Sequence, residues 1–242
     1  MTTPLAQNAN AQNEHGHTNF PYRETIGGLL YLMCKTRPDI AYAVIYESRS
    51  MEKPTNANVK DLKRTLRYLK GSVDKGIFYG SKNALVLKAF SDADYADLTD
   101  RKSTTGYVIL LGDSPIAWCS KKQKIVSLST TEAEYIAGAE CCRELKYLKS
   151  LLHELLDMDI SATLCVDNQS AIKLIKSGQM SRQSKHIDVR YHFISEELVK
   201  KLFTIEYWTD HQLADIMKPL VPAKFEKLSA KLFSNDRNVL LE

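Results

Sequence analysis

Three short runs rich in apolar and β-branched residues lie close together in the middle of the chain, and one long helical pattern follows them. The runs cover residues 85–90, 105–111 and 115–119. Gly112-Asp113 separates the second from the third, and this dipeptide permits the tight turn of a hairpin. The three runs therefore read as an antiparallel meander. Residues 132–156 then place apolar side chains at three- and four-residue intervals, the period of a helix packed on one face. A fourth strand is expected at residues 163–166, with a helix at 169–175 directly after it. A helix over 188–200, a fifth strand over 203–208 and a last helix starting near Gln212 complete the order. A meander followed by strand–helix crossovers implies a mixed α/β class: one five-stranded mixed sheet flanked by helices.

Upstream the texture is helical. Residues 22–50 carry a helical pattern that Pro38 interrupts, because the residue before a proline disfavours helix. Val59, Leu62, Leu66 and Leu69 give residues 58–70 an amphipathic spacing, and Gly71 is placed to end that helix. Residues 1–19 are rich in Asn, Gln, Thr and Ala and read as a flexible arm. The expected organisation is an arm over residues 1–21, an N-terminal helical appendage over 22–80, an α/β domain over 81–220, and a C-terminal helix and tail over 221–242.

Composition narrows the class. The chain is 44% hydrophobic and 26% charged, an ordinary globular balance. Its longest apolar stretch, residues 26–34, falls short of the roughly 20 residues that span a bilayer. No basic-then-apolar leader opens the sequence, so neither a membrane partner nor secretion is expected. The 5 cysteines are odd in number and form no C-x-x-C pair, which argues against a disulfide framework or zinc cage and for a reducing compartment. No G-x-x-x-x-G-K-[ST] loop is present, which disfavours nucleoside triphosphate hydrolysis. A net charge of +4 permits nucleic-acid binding without demanding it. Two basic clusters say more: Lys60, Lys63, Arg64, Arg67 and Lys70, and then Lys173, Lys176, Arg182, Lys185 and Arg190. Each reads equally as a solvated helix face or as a surface that follows a phosphate backbone.

Four carboxylates stand at the edges of the expected elements: Asp92 after the first strand, Glu134 in the first turns of the long helix, Asp167 directly after the fourth strand, and Asp215 at the start of the last helix. Glu134 continues upstream the stripe Gly138, Cys141, Leu145, Leu148, Leu152 and Leu155. A carboxylate in register with a buried face needs positive charge to meet it, and a metal ion supplies that. Glu132 falls off the stripe and reads as a cap after Ser129. Each carboxylate has a plainer alternative. Glu134 suits a cap from Thr131, Asp167 an N-cap, Asp215 a helix-dipole partner and Asp92 a turn residue. Taken together they suit hard divalent cations, which favour oxygen ligands and can clamp both the attacking and the leaving oxygen of a phosphodiester.

The segments around these residues resemble a known family. They are Ser91-Asp92-Ala93-Asp94-Tyr95-Ala96, Asp100-Arg101-Lys102-Ser103-Thr104-Thr105-Gly106-Tyr107, Ser127-Leu128-Ser129-Thr130-Thr131-Glu132-Ala133-Glu134-Tyr135 and Val166-Asp167-Asn168-Gln169-Ser170-Ala171. Further on come Lys185-His186-Ile187-Asp188-Val189-Arg190-Tyr191-His192-Phe193 and Gln212-Leu213-Ala214-Asp215-Ile216. In this order they resemble the ribonuclease H region of copia-type LTR retrotransposon Pol polyproteins. Thr36-Arg37-Pro38-Asp39-Ile40 and Leu66-Arg67-Tyr68-Leu69-Lys70-Gly71 resemble the helical tail of the reverse transcriptase.

The resemblance implies a ribonuclease H-like fold and hydrolysis of the RNA strand of RNA–DNA hybrids. It implies two Mg2+ ions, with Mn2+ as a substitute, held by Asp92, Glu134, Asp167 and Asp215. Asp92 would lie between both ions. It implies contact with the hybrid through Lys63, Arg64, Arg67, Lys102, Ser103, Asn168, Gln169, Lys185, His186 and Arg190. It implies the remainder of a Pol polyprotein as a partner, and an intracellular setting, in cytoplasmic virus-like particles or the nucleus. Three departures stand out. The polymerase signature Tyr-x-Asp-Asp is absent, as are gag, protease and integrase regions. A Gly is expected between Ala96 and Asp97, and a Thr between Met217 and Lys218, where the shortening would rotate the helix that carries Asp215. These departures leave a second reading open, a truncated and catalytically weak nucleic-acid-binding remnant. A DNA nuclease or integrase on the same fold fits the motifs less well.

Overall fold

The computed structural model describes residues 2–6, 19–80, 85–96, 100–178, 191–209 and 212–233. They fall into two compact units, Met1–Phe78 with Pro219–Glu242, and Tyr79–Lys218.

The second unit holds the sheet. Its strands are β1 (Leu87–Asp94), β2 (Thr104–Leu111), β3 (Ser114–Lys122), β4 (Ala162–Val166) and β5 (Thr204–Tyr207), in spatial order β3-β2-β1-β4-β5. β1, β2 and β3 form the antiparallel meander, whereas β4 runs parallel to β1 and β5 parallel to β4. This is the mixed five-stranded sheet expected from the sequence, in a ribonuclease H-like arrangement. The β2–β3 hairpin turns on Gly112, whose φ of 60° favours a residue without a Cβ.

β1 outruns its apolar run. The expected strand stops at Phe90, but pairing continues through Ser91, Asp92, Ala93 and Asp94, opposite Tyr107, Gly106, Thr105 and Thr104. Backbone amides and carbonyls form the ladder whatever the side chain, so a central strand need not end where its apolar residues do. Asp92 therefore sits within a strand and not in a turn after one.

Among the described residues of this unit the α-helices are α4 (Thr130–Leu156), α5 (Gln169–Ser177) and α6 (Phe193–Val199). The part of the expected 188–200 helix before Tyr191 lies outside the described residues. α4 packs Tyr135, Ile136, Ala139, Cys142 and Leu145 into one core with Leu87, Ala89, Ile109, Leu164 and Val166. Leu148 and Leu152 are half-buried on that core, but Leu155 is 69% exposed, so the expected stripe fails in its last turn. The reason is length. A helix of 27 residues runs roughly 40 Å, whereas a strand of 8 residues covers roughly 26 Å.

The expected last helix from Gln212 is two separate elements. Leu213–Met217 is a 3-10 segment, and Lys218 after it is extended, as a residue before proline prefers. The α-helix proper, α7 (Pro222–Phe233), belongs to the first unit.

There α7 joins α1 (Tyr22–Lys35), a 3-10 turn at Pro38–Ile40, α2 (Ala41–Ser48) and α3 (Asn56–Lys70). The break at Pro38 falls where the sequence puts it. Thr55 and Asn58 cap α3 reciprocally. The buried face of α3 is Val59, Leu62, Thr65 and Tyr68, while Leu66 is 37% exposed. Specific partners set this rotation: Tyr68 donates to Asp39 at 2.6 Å and meets Phe225 edge-on, and Thr65 donates to the Pro4 carbonyl at 3.1 Å. Thr3 and Pro4 are buried, so the flexible-arm reading of residues 1–19 fails at its start. Residues 7–18 lie outside the described residues. No helix among the described residues is long and apolar enough to cross a membrane.

Candidate active site

Parallel pairing of β1 and β4 aligns Ser91 with Val166, so the next residues, Asp92 within β1 and Asp167 just after β4, stand side by side. The first turns of α4 bring Glu134 to the same place. Oxygens of Asp92, Glu134 and Asp167 all lie within 4.8 Å of one another. Asp92 and Glu134 are buried and Asp167 is half-buried.

Local capping decides the plainer alternatives. Ser129 accepts the Glu132 N–H at 3.1 Å, and Glu132 Oε2 accepts the Leu128 N–H at 2.7 Å, so Glu132 caps α4 as expected. Glu134 plays no part in that cap; its Oε1 accepts the Ala93 N–H of β1 at 3.1 Å. Its Oε2 is buried with no hydrogen-bond partner among the described residues. Asn168, not Asp167, caps α5, accepting the Ala171 N–H at 2.9 Å.

Burial, and then the charges of Asp92 and Asp167, push the Glu134 carboxyl far above the usual carboxylate range. Asp92 is raised as well, by burial first; Lys218 opposes the rise while Asp215 and Asp167 add to it. Three like charges around one buried point favour protonation or a cation.

Asp215 is buried and lies outside that group of three. The Lys218 ammonium lies between it and Asp92. It contacts Asp92 Oδ2 and lies 2.8 Å from Asp215 Oδ1. Burial works against the charged ammonium, but Asp92 and Asp215 outweigh it and raise the lysine pKa above its ordinary value. The shortened segment after Met217 therefore does not turn a helix, as its expected place in one implied. It leaves Lys218 one 3-10 turn from Asp215.

These contacts test the fit of two ions. Asp92, Glu134 and Asp167 suit one hard cation, and the orphaned Glu134 Oε2 is a donor atom ready for it. The position between Asp92 and Asp215 does not suit a second, because the Lys218 ammonium already occupies it and pairs with both.

The Leu213–Met217 segment is fastened by residues the sequence did not mark as functional. Gly106 lies opposite Asp92, and a Cβ there would come within 2.7 Å of Met217 Cβ and 2.9 Å of the Ala214 carbonyl. Ser120 donates to the Met217 carbonyl at 2.8 Å, and Gln212 donates to the Ser91 carbonyl at 3.0 Å. Buried Gln123 donates to the Ala133 carbonyl at 2.9 Å, holding the loop after β3 on α4. Gly106 and Gln212 stand within the family-like segments, whereas Ser120 and Gln123 carried no sequence signal.

The expected hybrid-contacting residues divide. Gln169 is exposed beside Asp167, while Asn168 and Lys102 are half-buried. Ser103 is fully buried and accepts the Ala96 N–H at 3.2 Å, so its hydroxyl holds the chain after β1 and does not face a ligand. On α3 in the first unit, Arg67 is exposed and Lys63 lies over the Phe20 ring. Arg64 is engaged, donating to Thr3 Oγ1 at 2.9 Å. Lys185, His186 and Arg190 lie outside the described residues, as does Asp97 of the other shortened segment.

No protein-family model matches the chain. Curated relatives do. The retrovirus-related Pol polyprotein from transposon TNT 1-94 of Nicotiana tabacum is 42% identical over 209 residues, covering 85% of this chain and 16% of that protein. The retrovirus-related Pol polyprotein from transposon RE2 of Arabidopsis thaliana is 40% identical over 240 residues, covering 96% of this chain and 16% of that protein. The chain thus spans about a sixth of the length of these relatives. Among solved structures, LC11-RNase H1, isolated from compost, is 16% identical with a TM-score of 0.41, covering 55% of this chain and 93% of that one. The motifs, the sheet they sit on and the Pol relatives agree: the chain belongs to the retrotransposon Pol polyprotein family, and corresponds to its ribonuclease H region with the tail of the reverse transcriptase.

Proposed function

We propose that the chain is a divalent-metal-dependent endonuclease that hydrolyses the RNA strand of RNA–DNA hybrids during reverse transcription of a copia-type retrotransposon. The observation that carries this reading is the meeting of Asp92, Glu134 and Asp167, with Glu134 Oε2 buried and unpartnered. These three would hold a Mg2+ ion, or Mn2+ in its place. Such an ion activates water and stabilises charge on phosphate oxygens. The protein's own part is rigid placement. β1 and β4 fix two carboxylates by their shared register, and the Ala93 N–H orients the third. Exposed Gln169, with Lys102 and Asn168 nearby in sequence to the site, would meet the hybrid, whose RNA strand is told from DNA by 2′-hydroxyl and groove-shape contacts. The helical unit, with Lys63 and Arg67, would follow the nucleic-acid backbone by charge. The remainder of a Pol polyprotein is the natural partner, in an intracellular setting.

A second reading has an observation of its own. Lys218 bridging Asp92 and Asp215 favours a nucleic-acid-binding remnant of low activity. A labelled RNA–DNA hybrid in Mg2+ separates the two. Magnesium-dependent cutting of the RNA strand alone supports the endonuclease. Tight hybrid binding without cutting assigns the chain to the second reading.

A further inference from the structure

Lys218 is placed by local geometry. Lys218 follows the 3-10 segment directly, and its N–H donates to the Asp215 carbonyl at 3.1 Å, which closes one last turn and keeps the two residues together. The Leu213–Met217 segment is held down by Gln212 on β1 and Ser120 on β3, and Gly106 lets it lie close on β2. The backbone is thus fixed on both sides of Asp215, and the lysine stem delivers its ammonium to Asp92 and Asp215. Its side chain is 21% exposed, and those of the two carboxylates 1% and 5%. Two buried carboxylates flanking one point are what a hard cation seeks, and here the point is filled from within the chain.

We propose that the Lys218 ammonium is the resident occupant of the second cation position, so that this chain takes one divalent ion, at Asp92, Glu134 and Asp167, and the lysine stands in for the other. The inference rests on the metal-centre reading above and makes it specific. Lys218 supplies one positive charge where a divalent ion would supply two, and it has no open coordination position. It therefore pairs with Asp92 and Asp215 and offsets one of their two charges, without offering a site to a phosphate oxygen. It also leaves Asp92 shared between the ion and the lysine, which weakens Asp92 as a ligand.

The test counts ions. Mn2+ binding to the full chain is followed by electron paramagnetic resonance of the free ion and by calorimetry, for the unchanged protein, Lys218→Met and Asp215→Asn. The expected result is one Mn2+ for the unchanged chain, two for Lys218→Met, and one for Asp215→Asn. Met keeps the length of the stem and removes the charge; if it fails to fold by circular dichroism, Lys218→Gln takes its place. Two ions on the unchanged chain would mean that the lysine swings aside, which overturns the inference and leaves the metal centre standing. One ion on both the unchanged and the Lys218→Met chains also overturns it, because the lysine is then not what excludes the second. No ion on any of the three would remove the metal centre itself, and the inference with it.

Discussion

Asp39 in the helical unit and Glu134 in the sheet unit are both buried carboxylates, and the fold treats them in opposite ways. Asp39 is fully satisfied: Arg37 donates to it from Nε at 2.9 Å and Nη2 at 2.8 Å, and Tyr68 from its hydroxyl at 2.6 Å. Arg37 in turn donates to the Ser72 carbonyl and hydroxyl and lies over the Tyr68 and Phe233 rings. Glu134 has one backbone N–H for one oxygen, nothing for the other, and two carboxylates for neighbours. The first arrangement ties helices together. The second is costly in the apo protein and becomes favourable only when a cation arrives. What sets Glu134 apart is that its unpartnered oxygen meets two further carboxylates, an arrangement that points to a cation.

The largest expected effect breaks the satisfied side. Asp39→Ala leaves the Arg37 guanidinium buried without its carboxylate, and should destabilise the helical unit by about 3–5 kcal/mol. Urea unfolding reads it, and a change below about 1 kcal/mol would mean that water replaces the carboxylate freely. The next breaks the unsatisfied side. Asp167→Asn should lower hybrid cleavage by on the order of a hundredfold or more while hybrid binding changes little. Its companion, Glu134→Gln, should leave the apo protein as stable or more stable, because like-charge repulsion is relieved, and should abolish stabilisation by Mg2+. A fall in apo stability together with retained Mg2+ stabilisation would move Glu134 to the architectural side.

Glu47 sharpens the comparison within the helical unit. It is fully buried and accepts the Tyr22 hydroxyl at 2.6 Å. Burial, opposed by that hydrogen bond and aided by Asp61, pushes its carboxyl up to about 7. A folded pKa above the unfolded value means that the folded state binds the proton more tightly. The resulting stabilisation is complete below the ordinary glutamate value of 4.5 and is lost as pH rises through about 7. Stability should therefore fall between those two values, by on the order of 1–3 kcal/mol. Glu47→Gln should flatten that dependence and be the more stable protein at pH near 8. Parallel pH profiles for the two proteins would show that Glu47 is not the group responsible. The smallest effect is on surface charge. Reversing Lys63 and Arg67 should weaken hybrid binding modestly and lower its salt dependence by about one to two ions. Unchanged binding at every salt concentration would assign that face to solvation.

Much of the sheet was legible because its signals are local. Gly112-Asp113 marked the hairpin, short runs rich in β-branched residues marked strands, and three-four spacing marked helices. Asp167 was legible because it directly follows β4, and Glu134 because it continues the buried stripe of α4. Leu155 and Leu66 misled because periodicity states that a face is apolar, not how far the opposing surface extends or which way the helix is turned on it. Lys218 was overlooked although it stands three residues after Asp215, a spacing that brings charges together on a helix face.

By itself the sequence determined where the β2–β3 hairpin turns, where most strands and helices fall, that Asp167 follows β4, and that Glu134 lies in the first turns of α4. Each of these depends on residues a few positions apart. Tertiary structure alone decided that Asp92 lies within β1, that α7 belongs with the N-terminal helices, and that Lys218 reaches Asp92 as well as Asp215. The reason is that charge acts over distance in space. Whether a buried carboxylate meets an ammonium, an amide or another carboxylate depends on which distant segments the sheet brings to one end, and no periodicity records that.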